Sequence, residues 1–255
     1  MVISYPHHGE TRYVDLSRPI DISLPLKAGA EAVNAFYIPP VRIEPFRVGG
    51  FVGDVLQGGA CNVNNVSFNP HGNGTHTETV GHISQEKESI YDCLKHYWFS
   101  ARLVSVQPSK VIDDWVILPD QLMSALADHP EALIIRTRPN DSHKRTRQYS
   151  GTNPIFLHHD AAELIRTAGV RHLLIDLPSV DREEDGGALR AHRAFWNYPE
   201  QPRRDATITE LIYVPDEVHD GEYLLNLQVI SILNDASPSK PVLYKPFHRP
   251  GNPTL

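Results

Sequence analysis

Three of the chain's fourteen histidines and one carboxylate crowd into the stretch Asn69-Pro70-His71-Gly72-Asn73-Gly74-Thr75-His76-Thr77-Glu78-Thr79-Val80-Gly81-His82. Imidazole and carboxylate are the usual protein ligands of a catalytic divalent metal. His76, Glu78 and His82 are separated by even numbers of residues. An extended backbone would project them to one face, because side chains alternate across a strand. The glycines at 72, 74 and 81 permit turns that would bring His71 to the same place. The stretch reads as a metal site on a loop and strand end. The same composition also suits a polar, glycine-rich surface loop whose histidines are incidental.

Two downstream residues are candidates to complete such a site. His192 lies in Leu189-Arg190-Ala191-His192-Arg193-Ala194-Phe195-Trp196. Glu210 lies in Thr207-Ile208-Thr209-Glu210-Leu211, where a carboxylate interrupts a β-favouring run. Each alone is equally compatible with a solvated surface residue or a satisfied core residue.

The elements that must position these groups are mixed. Residues 11–27 alternate in part and read as an entry strand, and 41–51 as another strand region with Gly49-Gly50 as a turn. Ser89 to His96 reads as a short helical turn. Strands are expected at 98–106, 132–137, 173–176, 222–233 and 242–244. Pro119 is placed to open a helix. A further helix is expected over 161–168, capped by Asp160 with Glu163 near a capping-box position and stopped by Gly169. Residues 138–154 are polar and basic and read as a solvated loop or as a lid over a site. Helix-to-strand alternation argues for an α/β fold. With no repeat and no linker, residues 1–255 are expected to form a single domain.

Composition narrows the function. A formal net charge of −7 argues against a general nucleic-acid binder, which needs a basic face. The two cysteines, Cys61 and Cys93, make neither a metal-knuckle spacing nor a disulfide framework. No run approaches the ~18 apolar residues of a membrane span. The start has no basic segment followed by an apolar run. A cytoplasmic protein without membrane partners is the expectation. No Gly-x-Ser-x-Gly elbow is present and neither cysteine has a nucleophile's context, which disfavours a metal-free hydrolase.

Taken together, these residues resemble the cyclase-like metal-dependent hydrolase family, which includes bacterial kynurenine formamidases and isatin hydrolase. The family signature is His-x-Gly-Thr-His-x-Asp-x-Pro-x-His, and Gly74-Thr75-His76, Glu78 and His82 follow it. Asp21-Ile22-Ser23 resembles an early Asp-(Ile/Leu)-Ser, and Leu174 to Asp181 resembles Gly-(Ile/Val)-Asp-x-x-Ser-(Ile/Val)-Asp. His192 and Glu210 match the downstream histidine and the later glutamate. Three positions depart from the pattern. Gly72 stands where the first histidine is expected, with His71 one residue earlier. Glu78 replaces the aspartate, and Val80 the proline.

The resemblance implies a mixed sheet curled toward a barrel with helices packed outside, and a homo-oligomer. It implies one or two ions, zinc or manganese, held by His71, His76, Glu78, His192 and Glu210, with His82 as general acid/base. A small-molecule amide or lactam would be the substrate, cleaved in an arylformamidase-like reaction. Asp176, Ser179 and Asp181 are candidates to orient His192 or a neighbour, or else they hold a strand-end turn. Phe36, Tyr37 and Trp196 are candidate aromatic contacts for substrate, or ordinary packing. The alternative from another class is a non-catalytic small-ligand or metal-binding protein on the same fold.

Overall fold

Side-chain alternation along the strands sorts the apolar residues into two cores, one inside a ring of strands and one between that ring and its helices. The computed structural model describes residues 1–248. The main sheet comprises β1 (Ile20–Asp21), β2 (His76–Glu78), β3 (Trp98–Val106), β4 (Ala132–Thr137), β5 (His172–Ile175), β6 (Thr207–Glu210), β7 (Gly221–Val229) and β8 (Ala236–Tyr244). Their order is β7-β3-β4-β5-β6-β2-β8-β1, and a further pairing of β7 with β8 closes a seven-stranded ring with β1 at its side. Strands β3 to β6 run parallel. Strands β2, β7 and β8 pair antiparallel with their neighbours. This is the mixed sheet curled into a barrel that the family resemblance implied.

The continuous apolar run of β4 is buried along its whole length, as a strand covered on both faces should be. Leu133 and Ile135 pack outward with Ala162 and Ile165 of α1 (His159–Thr167) and Phe195 of α2 (Arg190–Trp196). Ala132 and Ile134 pack inward with Leu103, Tyr223 and Leu225. Ile22 joins that inner core, and Asp21 and Ser23 on either side of it hydrogen-bond to each other at the surface. No helix among the described residues is long and apolar enough to cross a membrane.

Several local expectations shift. The region expected as one entry strand is a hairpin, Val2–His7 with Glu10–Asp15, followed by the short β1. Pro119 opens a 3₁₀ turn before the four-residue helix Met123–Leu126. The cap of α1 is His158, whose Nδ1 accepts from the Asp160 amide. Glu163 receives Arg166 one turn on and does not reach back to the cap. The basic segment after β4 is not simply solvated. Lys144 is buried there and donates to Thr137 O, Thr137 Oγ1 and Asp176 Oδ2 at 2.7–2.8 Å, so the segment is anchored to the end of β4. That placement also corrects the reading of Asp176 as a group orienting His192. Its oxygens are taken by Lys144 and by the Thr137 amide and hydroxyl.

His172 sits in the inner core with its ring 3.9 Å from that of Phe99 and Nδ1 2.9 Å from Thr207 Oγ1. Burial, with Arg171 and Arg203 adding like charge, pushes it down to about 3. The unfolded chain takes up this proton near pH 6.5 while the folded chain refuses it. Stability is therefore lost as pH falls from about 6.5 toward 3. Urea denaturation should show a decline on the order of 1–2 kcal/mol between pH 7 and pH 5 that is absent in His172→Gln. Equal declines in both proteins would refute this assignment.

Candidate metal centre

The candidate residues converge on the outer face of the ring, where β2 and β6 meet the start of α2. Antiparallel pairing sets His76 opposite Glu210 and Glu78 opposite Ile208. The even spacing of His76 and Glu78 puts both on the helix-facing side. Thr75 locks the entry to β2, its hydroxyl accepting from the Leu24 amide and donating to Leu211 O. Val80–His82 form a 3₁₀ turn capped by Thr79, which swings His82 back over the strand it has just left. Gly81 is required there, since a Cβ would lie 2.0 Å from Glu88 O. On the other side of the site, Asp181 caps α2. Its Oδ1 accepts from the Ala191 amide at 2.7 Å and its Oδ2 from the His192 amide at 3.1 Å.

The three innermost histidines share one arrangement. His76 Nδ1 donates to Gly74 O at 3.1 Å, His192 Nδ1 lies 2.6 Å from Asp181 Oδ2, and His71 Nε2 lies 2.9 Å from Asp235 Oδ2. Each ring thus has one nitrogen committed to an oxygen acceptor outside the site. The other nitrogen points inward at a carboxylate. His71 Nδ1 is 3.1 Å from Glu78 Oε2, His192 Nε2 is 3.1 Å from Glu78 Oε1, and His76 Nε2 is 3.3 Å from Glu210 Oε2. His76, Glu78, His192 and Glu210 are all buried. His76 Nε2 makes no hydrogen bond despite that burial. In a neutral His76 the Gly74 carbonyl fixes the proton on Nδ1, so the Nε2 lone pair faces another acceptor. Two opposed acceptors in a buried site are what a cation would reconcile. The donor set fits a divalent ion on that ground.

The electrostatics follow from the same contacts. Burial disfavours a charged His71, but hydrogen bonds to Asp235 and Glu78 outweigh it and carry the ring up to about 10. Burial likewise opposes charge on His192, and Asp181 and Glu78 raise it well above the ordinary range. Glu78 is held well below the ordinary carboxylate range against its own desolvation, by the charge of His82 and the hydrogen bonds of His192 and His71.

An open cleft of about 340 Å³ lies beside these groups, with His71, Glu78, His82 and His192 on its floor and Phe36, Ile38 and Leu189 among its walls. His82 is partly exposed to it, Nδ1 standing 3.4 Å from Asp235 Oδ2 and 3.7 Å from Glu78 Oε2. Ser179 also lines it and its Oγ accepts from the Asp181 amide. A larger hollow of about 500 Å³ lies across the 181–190 segment, against Asp114, His158 and Arg190. His158, His159 and Asp160 also cluster there. Arg190 stands 2.9 Å from His159 Nε2, which opposes a cation.

The structure thus brings together His71, His76, Glu78, His82, His192 and Glu210, with Asp181 and Ser179 beside them. Two aromatic candidates fall elsewhere. Trp196 is fully buried and donates Nε1–H to Ala206 O, so it is a core residue behind His192. Tyr37 is 76% exposed and stands outside the cleft lining. Asp235 was not anticipated. It lies in Asn234-Asp235-Ala236-Ser237-Pro238 just before β8, and its carbonyl accepts from the Thr79 amide. No spacing rule links it to a histidine 164 residues away.

Comparison with known proteins agrees with this fold. Solved structures that superpose on the chain include isatin hydrolase A from Labrenzia aggregata, with a TM-score of 0.64 at 15% identity over 89% of this chain and 93% of that one. A predicted metal-dependent hydrolase from Bacillus stearothermophilus gives a TM-score of 0.61 at 17% identity over 89% of this chain and 98% of that one. Among curated proteins, the kynurenine formamidase of Bordetella avium is 29% identical over 188 residues, 71% of this chain and 80% of that one. The kynurenine formamidase of Bacillus cytotoxicus is 26% identical over 189 residues, 73% of this chain and 82% of that one. The family model described as "Putative cyclase" matches residues 14–182. That match covers well over half of the sequence, and the chain belongs to the cyclase family.

Proposed function

We propose that the protein is a metal-dependent hydrolase that cleaves a carbon–nitrogen bond in an N-formyl arylamide, an arylformamidase-like reaction. The observation that carries this reading is the inward-facing set of nitrogens, above all His76 Nε2, buried without a hydrogen bond against Glu210. His71, His76, Glu78, His192 and Glu210 are the proposed ligands for one or two ions of zinc or manganese. Similarity to proteins named kynurenine formamidase supports the bond type.

A divalent ion bound there would supply Lewis acidity, bringing the pKa of a water toward ~7 and polarising the scissile carbonyl. The remaining work falls to the chain. His82 stands at the cleft with Nδ1 turned to Asp235, which leaves Nε2 to take a proton from water and deliver it to the departing nitrogen. Histidine suits both transfers because its ordinary pKa lies near neutrality. Asp181, Asp235 and Gly74 O hold the three imidazoles in the tautomers that aim one nitrogen inward. Phe36 and Ile38 give the cleft an apolar wall suited to an aryl group.

Elemental analysis of the protein as purified should find near-stoichiometric zinc or manganese, and His76→Ala should lose it. Asp181→Asn, which keeps the size of the side chain and removes its charge, should bind metal about 10- to 100-fold more weakly. A wild type that takes up no metal even on reconstitution would end this reading.

His82→Ala separates proton transfer from metal binding. Metal content should be unchanged while kcat on an N-formyl arylamide falls by about 10²–10⁴. Full metal occupancy in the wild type without turnover of formamides, lactams or esters would instead favour a non-catalytic binding protein.

A further inference from the structure

The wall that Phe36 gives the cleft stands on a strained turn. Residues Ala35 to Ile38 form a tight turn closed by the Ile38 amide, which donates to Ala35 O. Both central residues have positive φ, 57° at Phe36 and 55° at Tyr37. That combination belongs to a type I′ turn, whose central positions ordinarily go to Asn, Asp and Gly. A bulky side chain at positive φ is an outlier, and here two aromatics stand at adjacent positions. Such a conformation persists where its surroundings over-determine it, and it clusters at active sites and ligand clamps.

The surroundings come from the basic segment after β4. Lys144 anchors that segment to Asp176. The chain then runs beside residues 32–37 and is fastened to them repeatedly. Gln148 Nε2 donates to Ala32 O at 2.6 Å, the Asn34 amide to Arg147 O at 3.1 Å and the Tyr149 amide to Asn34 O at 2.8 Å. At the tip of the turn the fastening is a side chain, Ser150 Oγ accepting from the Tyr37 amide at 2.8 Å. Glycine follows because a Cβ at 151, where φ is 72°, would lie 2.9 Å from Tyr37 Oη. Beyond it, Glu183 on another wall of the cleft accepts from the Gly151 amide at 2.7 Å and the Asn153 amide at 3.1 Å. The segment is thus a brace joining two walls of the cleft.

We propose that Ser150 is a positioning residue, which clamps the Phe36–Tyr37 turn and so fixes the Phe36 ring as the surface that receives the aryl group of the substrate. The inference rests on the arylformamidase-like reading above and adds a determinant of its aryl specificity. Phe36 and Ile38 line the cleft on either side of Tyr37, while the Tyr37 side chain points away from it. Releasing the Tyr37 amide lets the turn relax toward an unstrained conformation and carries both flanking side chains with it. Ser150 is neither a proposed ligand nor part of the cleft lining. Its loss therefore falls on binding of the ring and leaves proton transfer alone.

Steady-state kinetics on the purified, metal-loaded protein test this with N-phenylformamide and with N-methylformamide, which carries no ring. Ser150→Ala should raise KM for N-phenylformamide about fivefold or more, with kcat and metal content unchanged. Its kcat/KM on N-methylformamide should stay at the wild-type value. Ser150→Thr, which keeps the hydroxyl, should behave as the wild type does. Tyr37→Gly added to Ser150→Ala should recover most of the lost affinity, since glycine takes a positive φ without a clamp. Misfolding could not produce that recovery. Equilibrium dialysis against N-phenylformamide accompanies the kinetics. A wild type that binds the compound without cleaving it would refute the hydrolase reading, and the same variants then test the clamp through Kd. A wild type that does not bind it, a KM and Kd indifferent to Ser150→Ala, or an equal loss on N-methylformamide would overturn the proposal.

Discussion

Two carboxylates buried side by side set the terms for everything around them. Glu78 is 1% exposed and Glu210 3% exposed. Carboxylates are almost never that deeply buried unless they are paired or bind a cation. Glu210 receives the Val180 amide on one oxygen, and its other oxygen lies 3.3 Å from His76 Nε2 with no hydrogen bond formed by that nitrogen. Glu78 has His71, His82 and His192 around it. Positive partners lower the electrostatic cost of Glu78, yet a buried pair of this kind seldom repays its desolvation. A cluster retained at such expense in the folded chain is better explained by what it binds than by what it adds to stability.

The fold meets this demand by using elements of different stiffness for different tasks. The ladder between β2 and β6 fixes His76 and Glu210 in register, and strand pairing leaves them little freedom. His192 comes from a seven-residue helix, too short to be stable by itself. Its place is secured from outside by Asp181, which takes two helix amides and the imidazole of His192 at once. Asp235 plays a similar part for His71 and His82, from a turn tied to Thr79 by a backbone hydrogen bond. Two aspartates outside the cluster therefore orient three of its histidines. Asp176, which the motif placed in the same company, closes the loop after β4 around Lys144.

What could be read from the sequence divides along physical lines. The strand Ala132–Thr137 was legible because burial on both faces leaves a continuous apolar run, and Trp98–Val106 because Ala101, Leu103, Val104 and Val106 recur along a segment whose burial alternates. His76 and Glu78 were legible because a period of two is written directly into spacing. His192 and Glu210 were identified by resemblance, since their proximity to β2 depends on pairings across more than a hundred residues. Asp235 left no local signal, because its partners are distant and its own context is an ordinary polar turn. Trp196 misled because an aromatic beside a candidate ligand looks the same whether it faces a cleft or the core. Helical geometry and the Ala206 carbonyl decide that question, and neither can be read from the residue type.

The departures from the family signature compensate for one another. Gly72 occupies the place of the first motif histidine, and the structure explains why no side chain stands there. A Cβ at 72 would lie 2.6 Å from Ile38 Cδ1 and 2.8 Å from Ala35 O, so that position packs against the 35–38 segment. The histidine one residue earlier is turned toward the site, reaching it from its rim with its side chain 21% exposed. A ring arriving from there meets a carboxylate more easily if the acid is one methylene longer, and Glu78 Oε2 does reach His71 Nδ1 at 3.1 Å. The displaced ring then needs an anchor behind it, and Asp235 supplies one at 2.9 Å. The substitution at 78, the shift from 72 to 71 and the use of Asp235 form one coupled solution. Reverting any one alone, such as shortening Glu78 to aspartate, would break a contact that the other two have adapted to.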